Sequence, residues 1–151
     1  MKLDKFRLFH SEMIEYYQRS EICIRELYSI ACEYDECEQK VDADWGDIFD
    51  VMDQLKIMKD SSKVLTFQDM LLPNTEYALQ KRDYWLYDCY LDIVFDKTTH
   101  TTSDLDAIKR TAEDYSEIST IYAMLYSARD KARKKLAAKQ KRAATFASKK
   151  K

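Results

Sequence analysis

The sequence predicts an all-α fold: an elongated up-down bundle of about four helices with a basic helical C-terminal extension. Three observations predict it. The chain of 151 residues holds one Gly (Gly46) and one Pro (Pro73), and hairpins and tight βα turns lean on those residues for their dihedrals. Apolar side chains recur at helical spacing over long stretches. Polar segments that could end those stretches are few and short.

The first stretch, 3–41, carries three adjacent rows spaced by seven. They are Phe6, Met13, Ser20, Leu27, Tyr34 and Val41; Phe9, Tyr16, Cys23, Ile30 and Cys37; and His10, Tyr17, Ile24 and Ala31. Side by side they make a stripe wide enough for a bundle helix. A helix of this length is expected to project past its neighbours and to leave apolar seam for a second copy or a partner helix. A second helix is expected over 45–59, with Asp44 as N-cap and Trp45, Ile48, Met52 and Leu55 inside. Thr66 and Asp69 read as a capping box for a short turn before Pro73. A third helix is expected over 75–97, burying Tyr84, Tyr87, Leu91 and Val94, flanked by Leu86, Tyr90 and Ile93. Trp85 then falls on the opposite side and is the candidate protein-interface residue, since Trp is enriched at interfaces. The fourth, 103–136, is expected to start at a Ser103/Asp106 box and to bury Leu105, Ile108, Ala112, Tyr115, Ile118, Tyr122 and Leu125.

Charge divides the chain at residue 128. Residues 129–151 hold eleven Lys/Arg and one acid, Asp130, for a formal charge of +10, whereas residues 1–128 carry −12. The expected organisation is an acidic bundle over 1–128 and a Lys/Ala-rich tail over 129–151. The tail cations are Arg129, Lys131, Arg133, Lys134, Lys135, Lys139, Lys141, Arg142, Lys149, Lys150 and Lys151. A single sign of charge over more than twenty residues suits contact with nucleic-acid phosphates, without base readout. An acidic surface, the chain's own or a neighbour's, is the competing target for the tail. Only Leu136 and Phe146 are large and apolar there, too few for an interfacial membrane helix.

Catalytic and metal-binding patterns do not emerge. Two histidines, His10 and His100, are preceded three residues earlier by Arg7 and Lys97, which defeats the Glu-x-x-His pattern of di-metal bundles. The Arg-to-His pairing of helical RNA-cleaving domains is missing at both. His10, on the apolar stripe, reads as a hydrogen-bonded seam histidine. One Gly leaves no Gly-rich phosphate cradle. The four cysteines form no C-x-x-C pair, and the charged opening "MKLDKFRLFHSEMIEYY" has no apolar h-region. The expectation is a cytoplasmic protein with no cofactor, no metal and no small-molecule substrate, acting as a non-enzymatic interaction or assembly protein. Two other roles fit: an acidic accessory or inhibitor protein of immunity or anti-defence type, or a structural subunit of a phage or organelle assembly.

Overall fold

The chain was analysed as a computed structural model, which describes residues 1–40, 42–44, 47–48 and 72–150. Among them the fold is all-α: α1 (Leu3–Asp35), α2 (Leu72–Gln80), a π-helical segment (Tyr84–Asp88), α3 (Cys89–Asp92) and α4 (Leu105–Lys149). Lys2 and Thr101 form an isolated antiparallel bridge. No helix among these residues is long and apolar enough to cross a membrane. The expected helix 45–59 lies almost wholly outside the described residues, as does the Thr66/Asp69 box. Within it, Ile48 is buried, and Asp44 does accept the Asp47 N–H at 2.8 Å, as an N-cap should.

Helix α1 ends at Asp35, not at residue 41. Glu36 takes a left-handed conformation (φ 57°), and the Cys37 N–H turns back to the Cys32 carbonyl at 3.0 Å, which closes the helix by satisfying its last carbonyls. The chain then doubles back along α1. The Lys40 N–H donates to the Tyr28 hydroxyl at 3.0 Å, and Arg25 donates to the Ala43 carbonyl.

α1 and α4 run parallel. Tyr115 reaches Glu12, Arg129 reaches Glu26 and Gln140 reaches Glu33, pairs separated by 103, 103 and 107 residues. A nearly constant offset is the mark of parallel neighbours. Residues 72–92 descend alongside them, since Arg82 pairs with Glu21 while Tyr90 packs on Phe6. An up-down-up-down bundle would set its first and last helices antiparallel, so the expected topology is replaced by an up, down, up order among the described helices.

The seam between α1 and α4 has the spacing of a parallel coiled coil. Met13, Tyr17, Ser20, Ile24, Leu27 and Ala31 are buried at alternating steps of four and three, and so are Ala107, Thr111, Asp114, Ile118, Ile121 and Leu125. That 3.5-residue repeat keeps both stripes facing each other over many turns. The α1 stripe is the one expected. On α4 the stripe differs: Leu105 is 77% exposed and Ala112 is exposed, because the true seam admits Thr111 and Asp114. The Thr111 hydroxyl donates to the Ala107 carbonyl at 2.7 Å, and Asp114 is held by two donors described below. Asp104, not Ser103, caps the helix, accepting the Ala107 N–H at 3.1 Å.

The largest departure lies in and after the π-helical segment. Tyr87, Leu91 and Val94, expected inside, are 72%, 83% and 75% exposed, while Trp85, Cys89 and Ile93 are buried. Ala78, Trp85, Cys89 and Ile93 follow one another at steps of seven, four and four, so the buried face is the one that carries Trp85, and Tyr87 and Leu91 fall away from it. The Cys89 N–H bonds the Tyr84 carbonyl, so it is not available to the Trp85 carbonyl. His10 takes its place at 2.6 Å. A carbonyl only accepts, so Nε2 of His10 carries the proton.

Candidate nucleic-acid interface

The site expected on residues 129–151 is built by α4 itself, which is unbroken from Leu105 to Lys149. The boundary expected after residue 128 therefore falls inside a helix, and the helix does not fade at residue 136. Ala and Lys are strong helix formers, and α1 supports the first part of the extension. Ala132 is 5% exposed, and Leu136 packs on the core.

Helical geometry sorts the tail cations into two sets. The first flanks the seam. Arg129 and Arg133 both reach Glu26, at 3.0 and 2.6 Å, and Lys139 reaches the Tyr34 carbonyl and lies 3.9 Å from Glu36. Arg129 also stacks on Tyr126, with its guanidinium 4.8 Å from the ring centroid. These are the flanking ion pairs that set register in parallel helix pairs. Three tail cations, Arg129, Arg133 and Lys139, thus meet acceptors on α1 within the chain.

The second set points the other way. Lys131, Lys134, Lys141, Arg142 and Lys149 fall within about a third of a turn of one another, away from the α1-facing stripe, whereas Lys135 is half-buried at its edge. Lys131, Lys141, Arg142 and Lys149 are exposed and make no ion pair with any described residue. Lys134 pairs with Asp130 at 3.0 Å, where both are solvated. Ala138, Lys141, Arg142, Thr145, Phe146 and Lys149 line one continuous face. The row covers about 27 Å at 1.5 Å per residue. Its last part, residues 141–149, extends about 14 Å beyond the level of Glu33, the partner of Gln140. It is therefore α4, rather than α1, that projects. Lys150 lies over the Phe146 ring at 4.6 Å, and Lys151 is outside the described residues.

Trp85 is not at the surface. It is 0% exposed, with its indole N–H donating to Asp114 Oδ2 at 2.9 Å. The Lys81 ammonium joins them, 3.0 Å from Asp114 and 3.1 Å from Glu117. Sequence reasoning missed this group. The available signal was an acid at seam spacing from Thr111 and Ile118, which only a buried donor could stabilise. The Glu26 pairs were legible as acids and bases at matching flanks once the helices were known to be parallel.

Comparison with protein families, with characterised proteins and with solved structures finds no match to this chain.

Proposed function

We propose that this chain is a non-enzymatic helical interaction protein whose last helix contacts nucleic-acid phosphates through its outward basic row. The observation that carries the reading is the sorting of the cations. Arg129, Arg133 and Lys139 are engaged by α1, while Lys131, Lys141, Arg142 and Lys149 stand exposed on the far face and make no ion pair with a described residue. A helix holds those charges at fixed spacing, so little side-chain or backbone order must be imposed on binding. Phosphates are the ligand class that rewards such a row, because each neutralised phosphate releases condensed counterions. Lys and Arg meet phosphate oxygens whatever the base sequence, and the contact is assigned to the backbone.

The test is a duplex DNA shift at two salt concentrations. Affinity is expected to fall with a log–log slope of about −0.9 per phosphate neutralised. Exchanging Lys131, Lys141, Arg142 and Lys149 for Glu should abolish the shift, and exchanging Arg133 for Gln should leave most of it. Equal binding by the wild type and the four-fold variant overturns the reading.

A second reading, a structural subunit that joins neighbours, is favoured by the exposed row of Tyr87, Leu91 and Val94.

A further inference from the structure

Tyr87 and Leu91, one turn apart, are 72% and 83% exposed, and Val94, just past the end of α3, is 75% exposed. Four acids, Asp83, Asp88, Asp92 and Asp96, stand in residues 83–96; Arg82 meets Asp83 and Arg110 meets Asp92, while Asp88 makes no ion pair with a described residue. An apolar row bordered by carboxylates is complemented by an apolar ridge bordered by cations. The projecting end of α4 is such a ridge. Phe146 is 63% exposed and shares a face with Lys141, Arg142 and Lys149, and no acid occurs from residue 141 to 151.

These two surfaces cannot meet within one chain. Tyr90 packs on Phe6 at the start of α1, with ring centroids 5.3 Å apart, whereas Phe146 lies beyond the level of Glu33 at its end. The 33 residues of α1 separate them by about 50 Å, and α4 is a continuous helix that does not fold back.

We infer that the chain pairs with a second copy of itself, the projecting end of each α4 lying on the Tyr87–Leu91–Val94 row of the other. An antiparallel arrangement about a two-fold axis forms both contacts at once and closes the assembly. Phe146 against Leu91 and Val94 supplies the apolar burial, and the opposed charges steer the approach and fix its direction. The contact shares cations with the phosphate reading, but its other half, Asp88 and Leu91, plays no part there. The two can therefore fail separately.

Light scattering of the full chain across a concentration series at low salt tests the pairing. The expected mass is twice that of one chain. Asp88→Lys with Leu91→Lys should reduce it to that of one chain, as should Arg142→Glu with Phe146→Glu. All four positions are exposed, and circular dichroism checks that both variants stay helical. Mixing the two variants should restore the doubled mass, because one contact is then wild type and the other has its charges exchanged. The Asp88/Leu91 variant should still shift DNA, at least as strongly as the wild type because its α4 cations are then uncovered, which separates this contact from phosphate binding. A wild-type chain that keeps the single mass at every concentration overturns the inference, as does a mixture no heavier than its components.

Discussion

Trp85 and Asp114 share a buried hydrogen bond, indole Nε1 to carboxylate Oδ2 at 2.9 Å, that ties the π-helical segment to α4. The carboxylate is 7% exposed and its other oxygen accepts from Lys81. Removing it strands the buried indole N–H and leaves Lys81 with Glu117 alone. Asp114→Ala should cost about 2–4 kcal/mol, the range for leaving a buried donor and part of an ion pair unsatisfied. Trp85→Phe keeps much of the ring but leaves Asp114 short of one donor, and about 1–3 kcal/mol should be lost. Urea unfolding of both variants measures this, and a loss below half a kcal/mol for Asp114→Ala would mean that the contact is not formed.

The burial of Trp85 in place of Leu91 gives a paired prediction. Leu27 is fully buried in the α1 stripe, and Leu91 is 83% exposed. Leu27→Ala should cost about 2–5 kcal/mol. Leu91→Ala should change stability by no more than about 0.5 kcal/mol. Equal losses in denaturant titrations would refute this assignment of the buried face.

These contrasts locate what could be read from the residues alone. The α1 stripe was legible because seven-residue rows of Phe6, Met13 and Leu27 persist for many turns without interruption. Helix direction was not, since periodicity says which face is buried and nothing about which end meets which. The π turn was hidden because Tyr84, Trp85, Leu86, Tyr87 and Tyr90 are apolar or aromatic on every side, so any phase looks plausible. On α4 the seam contains Thr111 and Asp114, whose partners are the Ala107 carbonyl one turn back and residues 81 and 85. The tail cations were legible as a charge run, but their division required α1 in place, since Glu26 and the Tyr34 carbonyl select Arg129, Arg133 and Lys139.

The cysteines should differ sharply in reactivity. Burial pushes the Cys23 and Cys89 thiols up, and burial together with the Cys37 hydrogen bond pushes Cys32 up to about 11. All three are buried, whereas Cys37 is exposed. Thiolate is the attacking species, so at mildly alkaline pH one thiol in four should react promptly with a disulfide reagent and the rest only on unfolding. Cys37→Ser should remove the prompt phase. Two or more prompt thiols would contradict the described packing.

Alkaline pH should unfold the protein early. Burial and a hydrogen bond to Asp92 push Tyr84 up to about 12, and a hydrogen bond to Glu12 with burial does the same for Tyr115. Both start from an ordinary value of 10.0. A group whose folded pKa is raised contributes stability that is complete below its unfolded pKa and is lost as pH rises through the folded one. Melting temperature should therefore hold to about pH 10 and drop between there and about pH 12. Glu12→Gln should weaken the hold on Tyr115, moving part of the tyrosinate absorbance change to lower pH. An unchanged titration would show that Glu12 is not its partner.

Truncation separates the two sets of tail cations. Cutting after Gln140 removes the projecting end and leaves every described contact between α4 and α1, so the melting temperature should stay within a few degrees of the full chain. Cutting after Ala128 also removes Ala132, which is 5% exposed, and the Arg129 and Arg133 partners of Glu26. That loss should lower the melting temperature clearly, because a buried side chain and a partly buried pair go together. DNA affinity should follow a different order. Residues 1–140 lose Lys141, Arg142 and Lys149 and should bind weakly, with a shallower salt slope, while remaining as stable as the full chain. Weak binding without instability is the outcome that a purely structural tail would not give. If residues 1–140 shift DNA as strongly as the full chain, the projecting end is not the phosphate contact, and the proposal retreats to Lys131, Lys134 and Lys135.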